Sequence, residues 1–327
     1  MPDIMGIITA WDTAEITADT LALPGAPGRL AQLGLFDEQG ITTSSAIIEL
    51  DDTLLNLVPV RVRGGPATLR GEGDRAARGL VVPHLPVGNT ILADEIQNLR
   101  AFGKTTQLAA ARAHVLRRID LCKRDLDATL EWHRVGAIRG QVLDSDGATV
   151  IYDLFDDFGL TQQTLSLDLG TSTTKVEAKA AQGLDMIEDA LRLPFNGGRA
   201  FLGKDLWNSL IAHDEMRAAY LSRTRTPGEV LESFEFGGII WERVRGTFGT
   251  TKLMADDEGY LIPKDGPPGL FVTRYAPAPY NDTTNTVGQP VYTKLEPLAH
   301  SHGIAFEVQT NPLSICTKPT ACIRLTA

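Results

Sequence analysis

Few side chains in this sequence stand at spacings that could do chemistry. His300-Ser301-His302 sets two imidazoles close enough to share a metal ion. A metal site needs further ligands, and no cysteine or carboxylate lies at a familiar spacing from the pair. The motif therefore reads as a solvated or partly packed loop. Asp144-Ser145-Asp146-Gly147 crowds oxygens as a calcium loop does. An EF-hand loop needs more oxygen ligands and a closing Glu, which are missing. Asp and Gly are also what a tight turn requires, so a hairpin turn is expected. Cys122, Cys316 and Cys322 form an odd, sparse set that suits a reducing cytoplasm better than a disulfide scaffold. Cys316 and Cys322 fall in strand-like sequence and read as small buried hydrophobes. No Gly-x-Ser-x-Gly elbow or Walker loop is present. The sequence points to no catalytic residue, cofactor or metal.

One segment imitates an active site. Asp168-Leu169-Gly170-Thr171-Ser172-Thr173-Thr174-Lys175 resembles the phosphate loop shared by actin, sugar kinases and heat-shock chaperone ATPases. In those proteins the loop opens the first of two large lobes. Here 152 residues follow Lys175, too few for both lobes, and neither a second phosphate loop nor an adenosine-binding glycine motif is found. A nucleotide-binding enzyme is kept only as an alternative.

Composition narrows the class. The chain has 327 residues, 43% hydrophobic and 22% charged, which describes a folded protein of about two domains. Lys plus Arg number 31 against 41 Asp plus Glu, a net charge of −10. That balance opposes general nucleic-acid binding, which relies on cationic surface to displace counterions. Asp3, Asp12, Glu15 and Asp19 precede the first base, Arg29, unlike the basic start of an export signal. No uncharged apolar stretch is long enough for a membrane span, so no membrane is expected.

The elements form a distinctive order. Residues 1–45 read as an extended arm with one short helix, which lies on another surface or folds back on its own domain. Strand character over Ala46–Pro86 breaks at Gly64-Gly65-Pro66 and an Arg- and Gly-rich tip. Such a long two-stranded hairpin needs a partner surface. Between Asn56 and Pro86, Arg61, Arg63, Arg70, Arg75 and Arg78 face only Glu72 and Asp74, a local +3. The segment is either a solvated basic loop or a clamp onto acidic surface of another subunit; arginine suits a clamp because its planar guanidinium makes bidentate pairs. The period of Leu108, Val115, Ile119, Cys122, Leu126 and Leu130 predicts a long helix over Gln107–Arg134. A hairpin is expected next, Ala137–Leu143 with Ala148–Phe155. Its neighbourhood holds Asp144, Asp146, Asp153, Asp156 and Asp157 with no base, a natural acidic partner for the basic tip. Further expectations are a strand at Thr164–Leu169, a helix at Val176–Arg192, and a helix capped by Asp205 running to Leu221. Phe234–Val244 reads as a strand broken by Gly237-Gly238, Gly259–Pro279 as mostly loop, and Ile304–Leu325 as strand.

This order resembles the tailed-phage major capsid proteins of the lambda-type capsid protein E family, with the Hong Kong 97 (HK97) fold. The residues that carry the resemblance are Pro27-Gly28-Arg29-Leu30 with Leu35-Phe36, Leu57-Val58-Pro59 leading into Arg63-Gly64-Gly65-Pro66, Val142-Leu143-Asp144-Ser145-Asp146-Gly147, Tyr152-Asp153-Leu154-Phe155, Asn311-Pro312-Leu313 and Cys316-Thr317-Lys318-Pro319. The resemblance implies an α+β fold: an N-arm at 1–45, an E-loop hairpin at 46–100, a peripheral domain at 101–174 with its spine helix at 107–134, an axial domain at 175–305, and a return strand of the peripheral domain at 306–327. It implies hexamers and pentamers closing into an icosahedral head around double-stranded DNA, with a scaffold, a portal and a decoration protein as partners. The head would be assembled in the host bacterial cytoplasm and end as the virion capsid. An encapsulin-type compartment shell is the alternative within the same fold. Some relatives weld their shells by an isopeptide bond from an E-loop lysine; no lysine precedes Lys104 here, so that bond is not expected.

Overall fold

The structure, a computed structural model, describes residues 12–26, 28–51, 75–97, 107–223, 232–249 and 251–327. In chain order the first half contains helices α1 (Thr13–Ala22) and α2 (Arg29–Leu33), strands β1 (Asp37–Gly40), β2 (Ser45–Asp51), β3 (Arg75–Val81) and β4 (Leu85–Leu92), then α3 (Ala93–Gln97) and α4 (Gln107–Arg139). Next come β5 (Gln141–Leu143), β6 (Val150–Asp153), α5 (Leu154–Phe158), β7 (Thr164–Ser166), α6 (Val176–Leu191), β8 (Gly198–Leu202), α7 (Lys204–Ala212) and α8 (Asp214–Arg223). The strands that follow are β9 (Ser233–Phe236), β10 (Ile239–Arg243), β11 (Thr247–Phe248), β12 (Thr251–Lys252), β13 (Gly259–Pro263), β14 (Phe271–Tyr275), β15 (Tyr292–Pro297), β16 (Gly303–Thr310), β17 (Pro312–Cys316) and β18 (Ile323–Thr326), with short 3-10 turns at Asn281–Thr283, Ala299–Ser301 and Pro319–Ala321.

One compact unit comprises Met1–Ala46, Gly79–Trp132 and Val272–Ser314. Its antiparallel sheet has the order β15-β16-β4, with Val308 opposite Val87 and Ile304 opposite Ile91. Alternate strand residues share a face, whereas a helix returns to one face every three or four residues. Ile304, Phe306, Val308 and Ile91 from the sheet therefore meet Ala111, Val115, Ile119, Cys122 and Leu126 from α4 in one core. Each large aliphatic side chain buried there contributes about 1.5–3 kcal/mol. A second sheet, β1-β14-β17, pairs Asp37–Gly40 in parallel with Val272–Tyr275.

The arm carries two short helices, α1 and α2, and is extended at Leu23, at Gly28 and in β1. Asp12 caps α1 through Thr13 N at 2.7 Å, and Ile16 enters the core. Thr20 Oγ1 lies 2.9 Å from Thr293 Oγ1, and Thr293 N donates to Thr17 Oγ1 at 3.2 Å. Of the two surfaces open to the arm, residues 12–34 take their own unit.

The other unit comprises Ile47–Arg78, His133–Phe271 and Ile315–Ala327. Its mixed sheet runs β7-β18-β13-β8-β10-β9. Against it α6 buries Val176, Ala180, Gly183, Ile187 and Leu191. β13 corrects the loop expected at Gly259–Pro279: every residue of Gly259–Pro263 is buried. A strand covered on both faces has no polar alternation to betray it. The expected break at Gly237-Gly238 is a tight turn with φ +61° and +75°, which joins β9 to β10. The helix expected to run from Asp205 to Leu221 is two helices. Gly203 is the N-cap of α7, Asp205 sits in its first turn, and extended backbone at His213 separates it from α8. An edge-to-face aromatic cluster, Trp207, Tyr220 and Phe234, ties the pair to β9.

α4 also runs longer than its stripe predicts. Ala137–Arg139, read from sequence as strand, continue the helix, and β5 starts at Gln141. Gly136 is disfavoured inside a helix, yet a Cβ there would meet Gln141 O and Val142 Cα at 3.0 Å. The close return of the chain explains the glycine. Gly140, at φ +84°, then ends the helix. Likewise β6 stops at Asp153, and the residues after it form α5. Strand expected through Leu169 ends at Ser166.

Candidate functional site

The charged groups singled out from sequence occupy two places. Arg61, Arg63 and Arg70 lie outside the described residues. Arg75 opens β3, and Arg78 stands exposed on the same strand. β2 and β3 pair as the described base of the basic hairpin.

The five aspartates gather on the β5–β6 hairpin and the turn of helix beyond it. Asp144 and Asp146 form the tip. Asp146 accepts from Ala148 N and Thr149 N, both at 2.8 Å, and from Thr149 Oγ1 at 2.6 Å. The Thr149 hydroxyl, then these amides, hold its carboxyl below the usual range. Asp144 Oδ1 takes Ser145 N at 2.6 Å. At the hairpin's base, Asp153 caps α5 through Phe155 N (2.9 Å) and Asp156 N (3.2 Å), and accepts from Gln141 Nε2 at 2.9 Å. Asp156 and Asp157 form the first turn of α5, where negative charge suits the helix dipole. Asp146 and Asp153 thus have local structural work, and Asp156 points into solvent.

The phosphate-loop look-alike is tied to itself. Ser166 Oγ donates to Asp168 Oδ1 at 2.7 Å, and Lys179 Nζ to Asp168 Oδ2 at 2.5 Å. That lysine, then Ser166, lowers the Asp168 pKa. The amide of Val176, at the start of α6, already donates to Glu215 Oε2 at 2.8 Å. His300 and His302 stack edge to face at 5.9 Å in an exposed turn. No cluster of three metal-ligating side chains occurs among the described residues.

Sequence reasoning missed a ladder along α4. Arg112 Nη2 reaches Glu15 Oε1 (3.2 Å) and Asp19 Oδ2 (3.0 Å). Lys123 Nζ donates to Leu23 O at 2.7 Å. Ala26 N donates to Asp127 Oδ2 at 3.0 Å, and Leu30 N to the buried Glu131 Oε1 at 2.6 Å. Lys123, Asp127 and Glu131 recur every fourth residue, so they share one face and read successive parts of the arm. That spacing was the available signal. The arrangement is mechanical: it fixes where a segment of chain lies.

Comparison with known proteins agrees with a structural part. The sequence profile described as phage major capsid protein E matches residues 12–327. The chain belongs to the phage major capsid protein E family. The major capsid protein of Salmonella phage Felix O1 is 24% identical, over 96% of this chain and 95% of its own. That of Pseudomonas phage KPP10 is 24% identical, over 89% and 90%. Among solved structures, one described as a prophage capsid protein from E. coli CFT073 superposes with a TM-score of 0.57 at 15% identity, covering 97% of this chain and 99% of the other. A structure from Microbacterium phage Oxtober96 gives 0.50 at 13% identity, over 90% and 86%. The fold is α+β and HK97-like. Membership in the capsid protein E family makes this chain a structural component of a phage head, built by repeating one subunit in a multimeric shell.

Proposed function

We propose that this chain builds the icosahedral head of a tailed phage or prophage. It would do so as hexamers and pentamers, around double-stranded DNA that it contacts without sequence specificity. The observation that carries this reading is the family match across residues 12–327 on a chain of net −10, with a local +3 between Asn56 and Pro86. An acidic wall lets packaged DNA slide, while the hairpin's arginines are kept for protein. Exposed apolar side chains add to it: Val81 is 75% and Leu92 49% exposed, at the ends of β3 and β4. Contacts repeated by symmetry then hold the shell without a strong single interface. Assembly in the host cytoplasm, on a scaffold and around a portal, with a decoration protein outside, belongs to the same reading.

The domain names follow as part of the proposal: N-arm 1–45, E-loop 46–100, peripheral domain 101–174 and 306–327, axial domain 175–305. The compact unit that groups Val272–Ser314 with Gly79–Trp132 favours moving 272–305 to the peripheral side. Arg61, Arg63, Arg70, Arg75 and Arg78 are assigned to the clamp. Asp144, Asp146, Asp153, Asp156 and Asp157 form its acidic partner on a neighbour. Asp156 is the strongest candidate, since Asp146 and Asp153 are engaged locally.

Expression of the chain alone, followed by size-exclusion chromatography and negative-stain microscopy, tests the reading. Closed shells, tubes or rings of five or six are expected. A stable monomer that neither a scaffold nor crowding drives into particles would overturn it. Mature particles should run as single chains on a denaturing gel, because the E-loop has no lysine.

A further inference from the structure

Cys316 closes β17 and Cys322 directly precedes β18, with the short 3-10 turn Pro319–Ala321 between them. Their sulfurs stand 3.7 Å apart in thiol–thiol contact. Both residues are buried, at 0% and 1% exposure. Neither thiol has a part in the assembly contacts above, and packing alone does not require two sulfurs to face each other. A disulfide would shorten the separation to about 2.0 Å. The turn holds Cys322 N on Pro319 O at 3.1 Å, and across it the two sulfurs already touch.

We propose that Cys316 and Cys322 are a redox modification site: an intrachain disulfide closed by a small hydroperoxide and reopened by a thiol reductant. In the first step one sulfur attacks a peroxide oxygen, the O–O bond breaks, and a sulfenic acid and water result. The second sulfur then attacks the sulfenic sulfur. The S–O bond breaks, and a second water leaves with the remaining thiol proton. Two thiols lose two electrons and two protons, and one hydrogen peroxide becomes two waters. The hydrogen bond to Cys316, together with burial, holds the Cys322 thiol well above its ordinary range. Thiolate is therefore scarce and the reaction slow, which suits prolonged exposure outside a reducing cytoplasm. Burial also excludes bulky oxidants, so oxidised glutathione should fail where peroxide succeeds.

The test uses the purified full-length protein under native conditions, treated with hydrogen peroxide or with oxidised glutathione. After quenching, the protein is unfolded in iodoacetamide and digested with trypsin. Lys318 precedes Pro319, so trypsin leaves both cysteines in one peptide ending at Arg324. After peroxide the expected peptide is two hydrogens lighter and unalkylated, dithiothreitol restores both alkylations, and Cys122 is alkylated throughout. In Cys316→Ser the reaction should stop at a sulfenic acid on Cys322 that dimedone captures. Two alkylated cysteines after prolonged treatment with peroxide in large excess would overturn the proposal. So would sulfinic acid without the disulfide, or closure by glutathione as fast as by peroxide.

Discussion

The two ends of α4 are one helix in two kinds of surroundings. From Ala111 to Leu126 it buries a single stripe and leaves Leu121 in solvent; from Glu131 to Ile138 every residue is buried. The first arrangement follows from period alone. The second places Glu131, His133 and Arg134 where charge is costly, so each needs a neighbour or must stay neutral. Glu131 solves this by receiving the arm's amide. His133 stays neutral: burial pushes its pKa down to about 4, against a smaller opposing effect of Asp144. Polar sequence at a helix end is therefore not a sign that the end is solvated.

The contrast can be broken at several points. Ile119→Ala removes a fully buried side chain from the stripe and should cost about 4 kcal/mol. Leu121→Ala, two residues away, should change stability by under about 0.5 kcal/mol. Equal denaturant midpoints for the two variants would defeat the one-sided stripe. The buried end is sharpened by pH. The unfolded His133 takes a proton near pH 6.5, the folded one only near 4. Between those values the unfolded chain binds more protons. Stability is therefore full above about 6.5 and falls by about 3 kcal/mol as pH drops toward 4. Urea titrations across this window should show a shallower slope for His133→Gln than for the parent, and identical slopes would mean that the imidazole is not buried neutral.

Gly136→Ala sets a methyl against the returning chain and should cost about 2 kcal/mol although alanine is the better helix former. A stabilised variant in thermal melts would contradict the close return. A similarly small effect belongs to the exposed end of the ladder. Arg112→Ala should cost about 0.5 kcal/mol, because its partners are solvated, and the difference should vanish in high salt. A salt-independent loss would place the pair in a drier setting.

What was legible in the sequence follows from how each signal arises. The stripe of α4, the strands β2 and β16, and the turn at Gly237-Gly238 rest on local period or backbone chemistry, and they appear where expected. Order and spacing of short segments sufficed for the family. β13 escaped because a strand buried on both faces and followed by prolines resembles an apolar loop. The last turn of α4 escaped because Gly136 reads as a breaker until its neighbour is seen. The arm's ladder escaped because Asp127 and Glu131 bind backbone amides, which carry no residue signature. Charge density alone does not separate local structural roles from surface charge. The aspartates crowded at 144–157 include two that stabilise their own turn and helix cap.

The strand order of the larger sheet has a consequence for how the molecule is made. β18 is the last of its six strands in sequence yet lies inside, between β7 and β13, with Arg324 aligned to Thr164 on one side and to Tyr260 on the other. Until it arrives, the sheet exists as two pieces with open hydrogen-bonding edges. Such non-local closure is slow, and open edges pair with other chains. The interval between synthesis and insertion of β18 is thus when a crowded pool of subunits is most exposed to aggregation, and slower synthesis at low temperature should raise the soluble yield.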